Sequence, residues 1–300
     1  MRSFESADND HPLAPFYRAL GHKVWSRHGV LWADAGRFSL MSVPCNQKLT
    51  PTKKEIQDLL RLSGRMIAVF PTTKSTGVTV TDFWLRDKNY SLDSLQRQFR
   101  QHVIKNEETC DVRLISWEEL SHIGLNVNRN TMERRGSKVH KCIQPEDWKQ
   151  ICAVASAIKN LDVFGCFYGG DLTSYLVSWV RNDYCQGIML HRDSKYNHLG
   201  AGNSLVYGFT NHMIHRPEIN SVSMGRGWFP IVESLDRFRR HAGYFDETIR
   251  LGVVLHPRWE IILGSRMTHN VLQRLTAWTG GRLNLRNDLE VLEAAAMTQL

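Results

Sequence analysis

The 300 residues suffice for one large or two ordinary domains, and with 42% hydrophobic and 23% charged residues the chain can bury a sizeable core. Aromatic residues at 10% and nine scattered prolines exclude a disordered or fibrous chain, and no apolar run is long enough for a membrane span. The net charge of +8 is uneven, since residues 1–145 carry 22 Lys+Arg against 15 Asp+Glu whereas residues 146–300 carry 16 against 15. That N-terminal excess suits either a polyanionic partner or a solvated basic surface. Met1 to Pro12 has no apolar segment of secretory type, and the six cysteines form no Cys-x-x-Cys pair or zinc-type grouping. The expectation is a cytoplasmic chain with reduced thiols and no metal.

In chain order, His22 to Val43 reads as short strands joined by turns. Thr52-x-x-Glu55 predicts a capping box that opens a helix to about Leu62, ended by Gly64. Arg65 to Phe70 and Val78 to Leu85 read as strands, the second with Val78, Val80 and Asp82 on one face. Ser91 caps a predicted amphipathic helix carrying Leu92, Leu95, Phe99 and Val103, followed by a short strand from Val112 to Ile115 and a helical turn at Trp117. Asn126 to Lys141 is the most polar stretch and is expected to hold a domain boundary. Pro145-Glu-Asp147 starts a helix that reaches about Lys159.

Beyond it come three strands, Val163 to Tyr168, Thr173 to Val180 and Tyr184 to His191, joined by Gly-Gly-Asp and Asn-Asp turns that predict antiparallel hairpins. A glycine loop follows, then a helix marked by Leu205, Phe209 and Met213. A strand at Asn220 to Met224, a turn at Gly225 to Gly227, a helix from Ser234 to His241 closed by Gly243, and a strand at Leu251 to His256 complete this half. A terminal helix is predicted from about Leu289. The order predicts an α+β fold with one mixed, mostly antiparallel sheet flanked by helices.

The loop Asn197-x-x-Gly200-x-Gly202 carries the clearest chemistry. A glycine loop between a strand and a helix N-terminus exposes backbone N–H groups, and the helix dipole adds positive charge, so it can hold a pyrophosphate. The same pattern also occurs as a tight turn. No Gly-Lys-Ser/Thr follows, which excludes a P-loop, and the hairpins before it exclude a dinucleotide fingerprint.

In that context the loop is similar to the acyl-coenzyme A site of the GNAT superfamily, whose motif is Gln/Arg-x-x-Gly-x-Gly/Ala; Asn197 stands at the Gln/Arg position. Four segments resemble the two-lobed Fem-type and related GNAT-like acyltransferases, which carry two copies of the fold in tandem. They are Leu92 to Lys105 with Gln96-Arg-Gln-Phe-Arg100, the hairpin Phe164 to Val177, Ser223-Met-Gly225, and Leu235-Asp-Arg-Phe-Arg-Arg-His-Ala-Gly-Tyr244. The last is similar to the family's Leu-x-x-Phe-Lys-x-x-x-Gly-Phe helix, with Arg239 where the family has Lys.

The resemblance implies tandem GNAT-like lobes: residues 1–145 as a degenerate acceptor-side lobe, 146–260 as the lobe with the donor loop, and 261–300 as a partly helical extension. It implies transfer of an acyl group from acyl-coenzyme A to an amine by direct attack, with no metal. Asn197, Leu199, Gly200, Ala201, Gly202 and Asn203 would bind the donor, Arg226 and Phe238 the acceptor, and Arg239 would sit near the reacting centre as a source of positive donors. His191 and Asp193, at the end of the strand entering the loop, are the expected bases, with His198, His215 and His256 as substitutes. Two other readings remain: an aminoacyl-tRNA-dependent transferase of Fem type, in which the basic first lobe and Arg134-Arg135 hold the RNA, and a non-catalytic binding module that keeps the fold.

Overall fold

Local turn chemistry sets the first pieces of the fold. Gly169 and Gly170 adopt φ values of 59° and 88°, the left-handed pair that a two-residue hairpin needs, and Asn182 at 53° serves the next turn. They join β7 (Leu161–Tyr168), β8 (Asp171–Arg181) and β9 (Tyr184–Arg192) into an antiparallel meander. The computed structural model describes residues 11–27, 29–75, 77–136, 140–226 and 232–263. The predicted terminal helix and Gly227 lie outside them.

Before the meander the chain forms α1 (Ala14–Ala19), β1 (Val24–Arg27), β2 (Val30–Asp34), β3 (Ser39–Val43), α2 (Lys53–Ser63), β4 (Ile67–Thr72) and β5 (Val78–Leu85). Next come α3 (Arg97–Lys105), β6 (Cys110–Ile115), α4 (Trp117–Ile123), α5 (Leu125–Arg134) and α6 (Pro145–Ser156). After β9 follow α7 (Ala201–Ile214), β10 (Ser221–Arg226), α8 (Glu233–His241), β11 (Phe245–Leu255) and α9 (Pro257–Leu263).

The eleven strands among the described residues form one sheet in the order β1-β2-β3-β4-β11-β5-β10-β9-β8-β7-β6. Its named pairs are antiparallel except two, β3 with β4 and β9 with β10, and each parallel pair is joined by one helix, α2 or α7. The fold is α+β with a mostly antiparallel sheet, and the two parallel units are placed symmetrically about the β11–β5 pair.

The centre is an exchange. β11 lies between β4 and β5, and β5 lies between β11 and β10, so the last strand of each half is inserted beside the other half. Residues 250–255 of β11 pair with β4 and residues 245–251 with β5, so the link from β4 to β5 crosses β11 near its middle. Gly77, at φ 129°, makes the crossing possible, because a side chain there would run into the Leu251 carbonyl.

Helices cover both faces. Phe83, Leu176, Leu205, Phe209 and Val222 form the core with α3 and α7, whereas Trp117, Trp148, Ile151 and Tyr175 form the core on the other face. The helix expected from Ser91 to Lys105 is broken: residues 92–94 make a 3₁₀ turn, and α3 starts again after Gln96, whose N–H donates to the His241 carbonyl at 3.0 Å. Docking of the α8 C-terminus therefore overrides the local helical pattern. The polar stretch 126–141, expected as a boundary, contains most of α5, whose buried residues include Asn128 and Thr131. A helix with a polar buried face escapes an apolar periodicity test. Among the described residues no helix is long and apolar enough to cross a membrane, and no group of three His, Cys, Asp or Glu could hold a metal.

Candidate functional site

The strand β9 leads to two polar regions, one at each end. At its C-terminal end the chain enters a 3₁₀ turn, Ser194–Leu199, capped by Asp193, whose Oδ1 accepts from the Lys195 N–H at 2.9 Å. Gly200 then adopts φ 71° and starts α7. No side chain caps this helix. The Asn203 and Ser204 N–H groups turn back to the Gly200 carbonyl at 2.8 and 3.3 Å, which leaves the amides of Ala201 and Gly202 without an acceptor among the described residues.

The two glycines of the motif differ. A Cβ on Gly200 would lie 2.9 Å from His102 Nδ1, so this glycine admits the packing of α3. At Gly202 the nearest atom would be Arg192 Cδ at 4.0 Å, so the space there is open. Leu199 and Ser204 are tied to Asn106 at the end of α3, while the Asn197 side chain is exposed. Arg192 beside Gly202 is crowded by like charge: burial first, then Arg134 and Arg135, lower its pKa. No carboxylate pairs with Arg134, Arg135 or Arg192 among the described residues. An uncapped helix start beside unpaired arginines is a place for an anion.

His191 belongs to a different environment. It is 1% exposed on the face of β9 that packs under α5, and its Nδ1 lies 2.7 Å from Asn128 Oδ1 and 3.0 Å from the Tyr175 hydroxyl. Burial, then Arg135, His140 and Arg134, push its pKa down to about 3, so it is a neutral packing group. Asp193 spends its carboxylate on the local cap. His198 Nδ1 meets the Lys195 carbonyl at 2.9 Å, His215 Nδ1 the Asn211 carbonyl at 2.7 Å, and His256 Nδ1 accepts from the Arg258 N–H at 3.2 Å. The five expected bases are thus dispersed and locally engaged.

The other region lies where the two halves meet. β9 and β10 pair from Tyr184 and Ser221 as far as Gln186 and Ser223, and beyond these residues they part, with Met224 over Gly187. About 20 Å of strand separates Gln186 from Arg192. At this seam the structure brings together two residues expected from the sequence, Arg226 and Arg239, with four that sequence reasoning missed: Cys45, Asp82, Gln186 and Asp236. Arg226 stands opposite Asp82 on β5, and both arginines feel the Asp82 and Cys45 side chains. Gln186 Nε2 donates to Cys45 Sγ at 3.3 Å.

α8 delivers Arg239 in an unusual way. Its buried residues are Asp236 and Arg239, linked Nη1 to Oδ1 at 3.2 Å, with the guanidinium 4.9 Å from the Phe83 ring centre. Phe238 instead packs on Phe99 of α3, ring centres 5.5 Å apart, so it holds α8 in place outside the seam. Asp82 is 1% exposed; its oxygens accept from the Phe83 N–H at 3.1 Å and Trp84 Nε1 at 2.7 Å, and burial raises its pKa. Its signal was legible, since a carboxylate shares the face of Val78 and Val80. Cys45 and Gln186 gave no such signal, because only tertiary pairing makes them neighbours.

A cavity of 680 Å³ lies elsewhere, between the β1–β2 hairpin, residues 47–51 and the start of α2, lined by Trp32, Lys48, Leu49, Glu55 and Asp58 among others. There the helix start is closed by its own residues, because Thr52 and Glu55 form the predicted capping box. The cavity therefore meets a helix start with a side-chain cap, whereas α7 has none; in both helices the first two amides, of Lys53 and Lys54 and of Ala201 and Gly202, have no acceptor among the described residues.

No protein-family model and no curated protein matches the sequence. Among solved structures, the chain is similar to FemX, with a TM-score of 0.54 and 8% identity over 84% of this chain and 92% of that one. It is also similar to the C-terminal DUF2156 domain assigned to a lysylphosphatidylglycerol synthetase from Agrobacterium fabrum, with a TM-score of 0.52 and 10% identity over 81% and 87%. At such identities the likeness is one of fold, and with the two symmetric parallel units it leads to one conclusion: this chain has the two-lobed, GNAT-like fold of Fem-type proteins.

Proposed function

We propose that the protein is an acyltransferase that takes acyl-coenzyme A as donor and an amine as acceptor. The observation that carries this reading is the uncapped start of α7, with open space at Gly202 and Arg192 alongside. Phosphates fit there on the free amides of Ala201 and Gly202 and on the unpaired arginines. Of the six expected donor residues, Ala201, Gly202 and their neighbour Asn203 are best placed, while Gly200 serves packing. From the phosphate end an extended donor would follow β9 to the point where it parts from β10, so its acyl group would reach the seam.

In this reading the amine attacks the thioester carbonyl directly, the carbon–sulfur bond breaks, and the thiolate leaves. The proton from the amine needs a base. The duty moves from His191, which lies against Asn128 and Tyr175 away from the seam, and from Asp193, which is a cap, to Asp82, which stands opposite Arg226 with its carboxyl raised above the ordinary range by burial. Arg226 and Arg239 supply positive charge at the reacting end. The second lobe is best drawn from β6 onward, because β6 pairs along its whole length with β7 even though it precedes residue 145.

The aminoacyl-tRNA reading keeps one specific support, the Arg134–Arg135 pair at the end of α5 beside the loop. Calorimetric titration of the full chain with coenzyme A, acetyl-coenzyme A, longer acyl-coenzyme A species and aminoacyl-tRNA separates the readings. Binding of coenzyme A species is expected. Binding of aminoacyl-tRNA alone would replace the donor, and binding of neither class would leave a non-catalytic module.

A further inference from the structure

We infer that the seam is a carboxylate-binding site, so that the acceptor carries a carboxylate close to its amine, held by Arg226 and Arg239 beside Cys45. The word acceptor rests on the transferase reading above; the anion site does not.

Both arginines are short of partners. Arg239 is 6% exposed and gives Nη1 to Asp236, but its Nε has no hydrogen-bond partner among the described residues. Arg226 directs Nη2 to Met41 Sδ at 2.8 Å and lies against the Cys45 thiol, and its Nη1 has no partner among them either. Thioether and thiol sulfur are weak acceptors, so a guanidinium among them is poorly satisfied. Gln186, 2% exposed, spends its Nε2 on Cys45 and leaves Oε1 unpaired. Folded chains leave few buried polar atoms in this state, and here two arginines and a glutamine share one place.

The balance of groups selects the ligand. Two unpaired cationic donors beside one unpaired acceptor complement a carboxylate with a neighbouring amine. Neither seam carboxylate takes up these donors, because Asp236 is paired with Arg239 Nη1 and the Asp82 oxygens accept from the Phe83 N–H and Trp84 Nε1. The two unpartnered donors, Arg239 Nε and Arg226 Nη1, match the two oxygens of a carboxylate. A phosphate would bring further oxygens and charge against Asp82 and Asp236. Cys45, Trp84, Met224 and Arg226 are each half-buried.

Cys45 offers a direct reporter. The full chain is treated in parallel with iodoacetate and iodoacetamide, and labelling of each cysteine is followed by peptide mass spectrometry. Iodoacetate should label Cys45 about tenfold faster than iodoacetamide, because the arginines gather its carboxylate at the thiol. Cys110, half-buried on β6, should prefer the neutral reagent. A mixture of free amino acids should slow the iodoacetate reaction at Cys45, and Arg239→Gln should bring its preference to that of Cys110.

The inference is overturned if Cys45 shows no preference for iodoacetate, reacts with neither reagent, or keeps its preference in a folded Arg239→Gln variant. Better protection by inorganic phosphate than by amino acids would overturn the carboxylate assignment. Should the variant not fold, the wild-type preference and the amino-acid protection decide. Coenzyme A binding is read separately, so its failure would sink the transferase reading and leave the labelling result standing.

Discussion

The two parallel units of the sheet have the same topology and opposite treatment of their helix starts. In β3-α2-β4 the helix opens on a complete capping box, with Thr52 accepting from the Glu55 N–H and Glu55 accepting from the Thr52 N–H. In β9-α7-β10 the helix opens on Gly200 with no side-chain cap, beside Arg134, Arg135 and Arg192, which pair with no carboxylate among the described residues. A helix start satisfied by its own residues contributes stability; one left open forgoes that and can bind an anion. The 680 Å³ cavity lies by the capped start. The chemistry of the helix end separates the α7 half of the sheet from its partner.

The strongest way to break this comparison is to fill the open end. Gly202→Asp places a carboxylate at the second residue of α7, where acidic side chains suit the helix dipole, so the melting temperature should hold or rise slightly. Coenzyme A affinity should fall by about 100-fold, because the new charge meets the phosphates and occupies the free amides. Unchanged affinity by calorimetry, with the fold intact, would remove the α7 end as the donor site.

A smaller effect tests what supports the open end from below. His191 holds the end of β9 against α5 in the neutral form, with its pKa pushed from 6.5 down to about 3. Between those values the unfolded chain binds more protons than the folded one, so stability is lost as pH falls from about 6.5 toward 3. Between pH 7 and pH 4 the loss due to this group should be on the order of 3 kcal/mol. Urea unfolding of wild type and His191→Gln at both values should show a smaller drop in the variant. An equal drop would show that His191 is not the group responsible.

The smallest effect sharpens the other side. Thr52→Ala should cost about 1 kcal/mol by removing the cap of α2. It should leave coenzyme A affinity where it was. A loss of binding in this variant would mean that the capped half takes part in donor recognition after all.

Much of this contrast is legible in the sequence because it is local. The capping box spans four residues, the hairpins follow from Gly169-Gly170 and Asn182-Asp183, and the glycine loop is continuous in the chain. The resemblance to the Fem-type fold came from such segments too. What escaped has three causes. Polar inner faces mislead an apolar pattern, as in α5 with Asn128 and Thr131 and in α8, which buries Asp236 and Arg239 while Phe238 packs sideways. The direction in which a strand residue faces is not fixed by its place beside a loop, so His191 next to the donor motif turned out to lie under the opposite helix layer. Asp82 was visible on an apolar face, but its role depends on Arg226, 144 positions away, standing opposite it.

The sequence by itself determined the capped and uncapped helix starts, the turns, the α+β class and the arginines that could bind anions, because each depends on residues a few positions apart. Only the tertiary structure decided the exchange of β5 and β11, the parting of β9 from β10, and the meeting of Cys45, Asp82, Gln186, Arg226 and Arg239. The physical reason is range. Caps and turns are satisfied within one or two turns of chain, whereas a buried charge acquires its meaning from partners that long-range strand pairing brings to it.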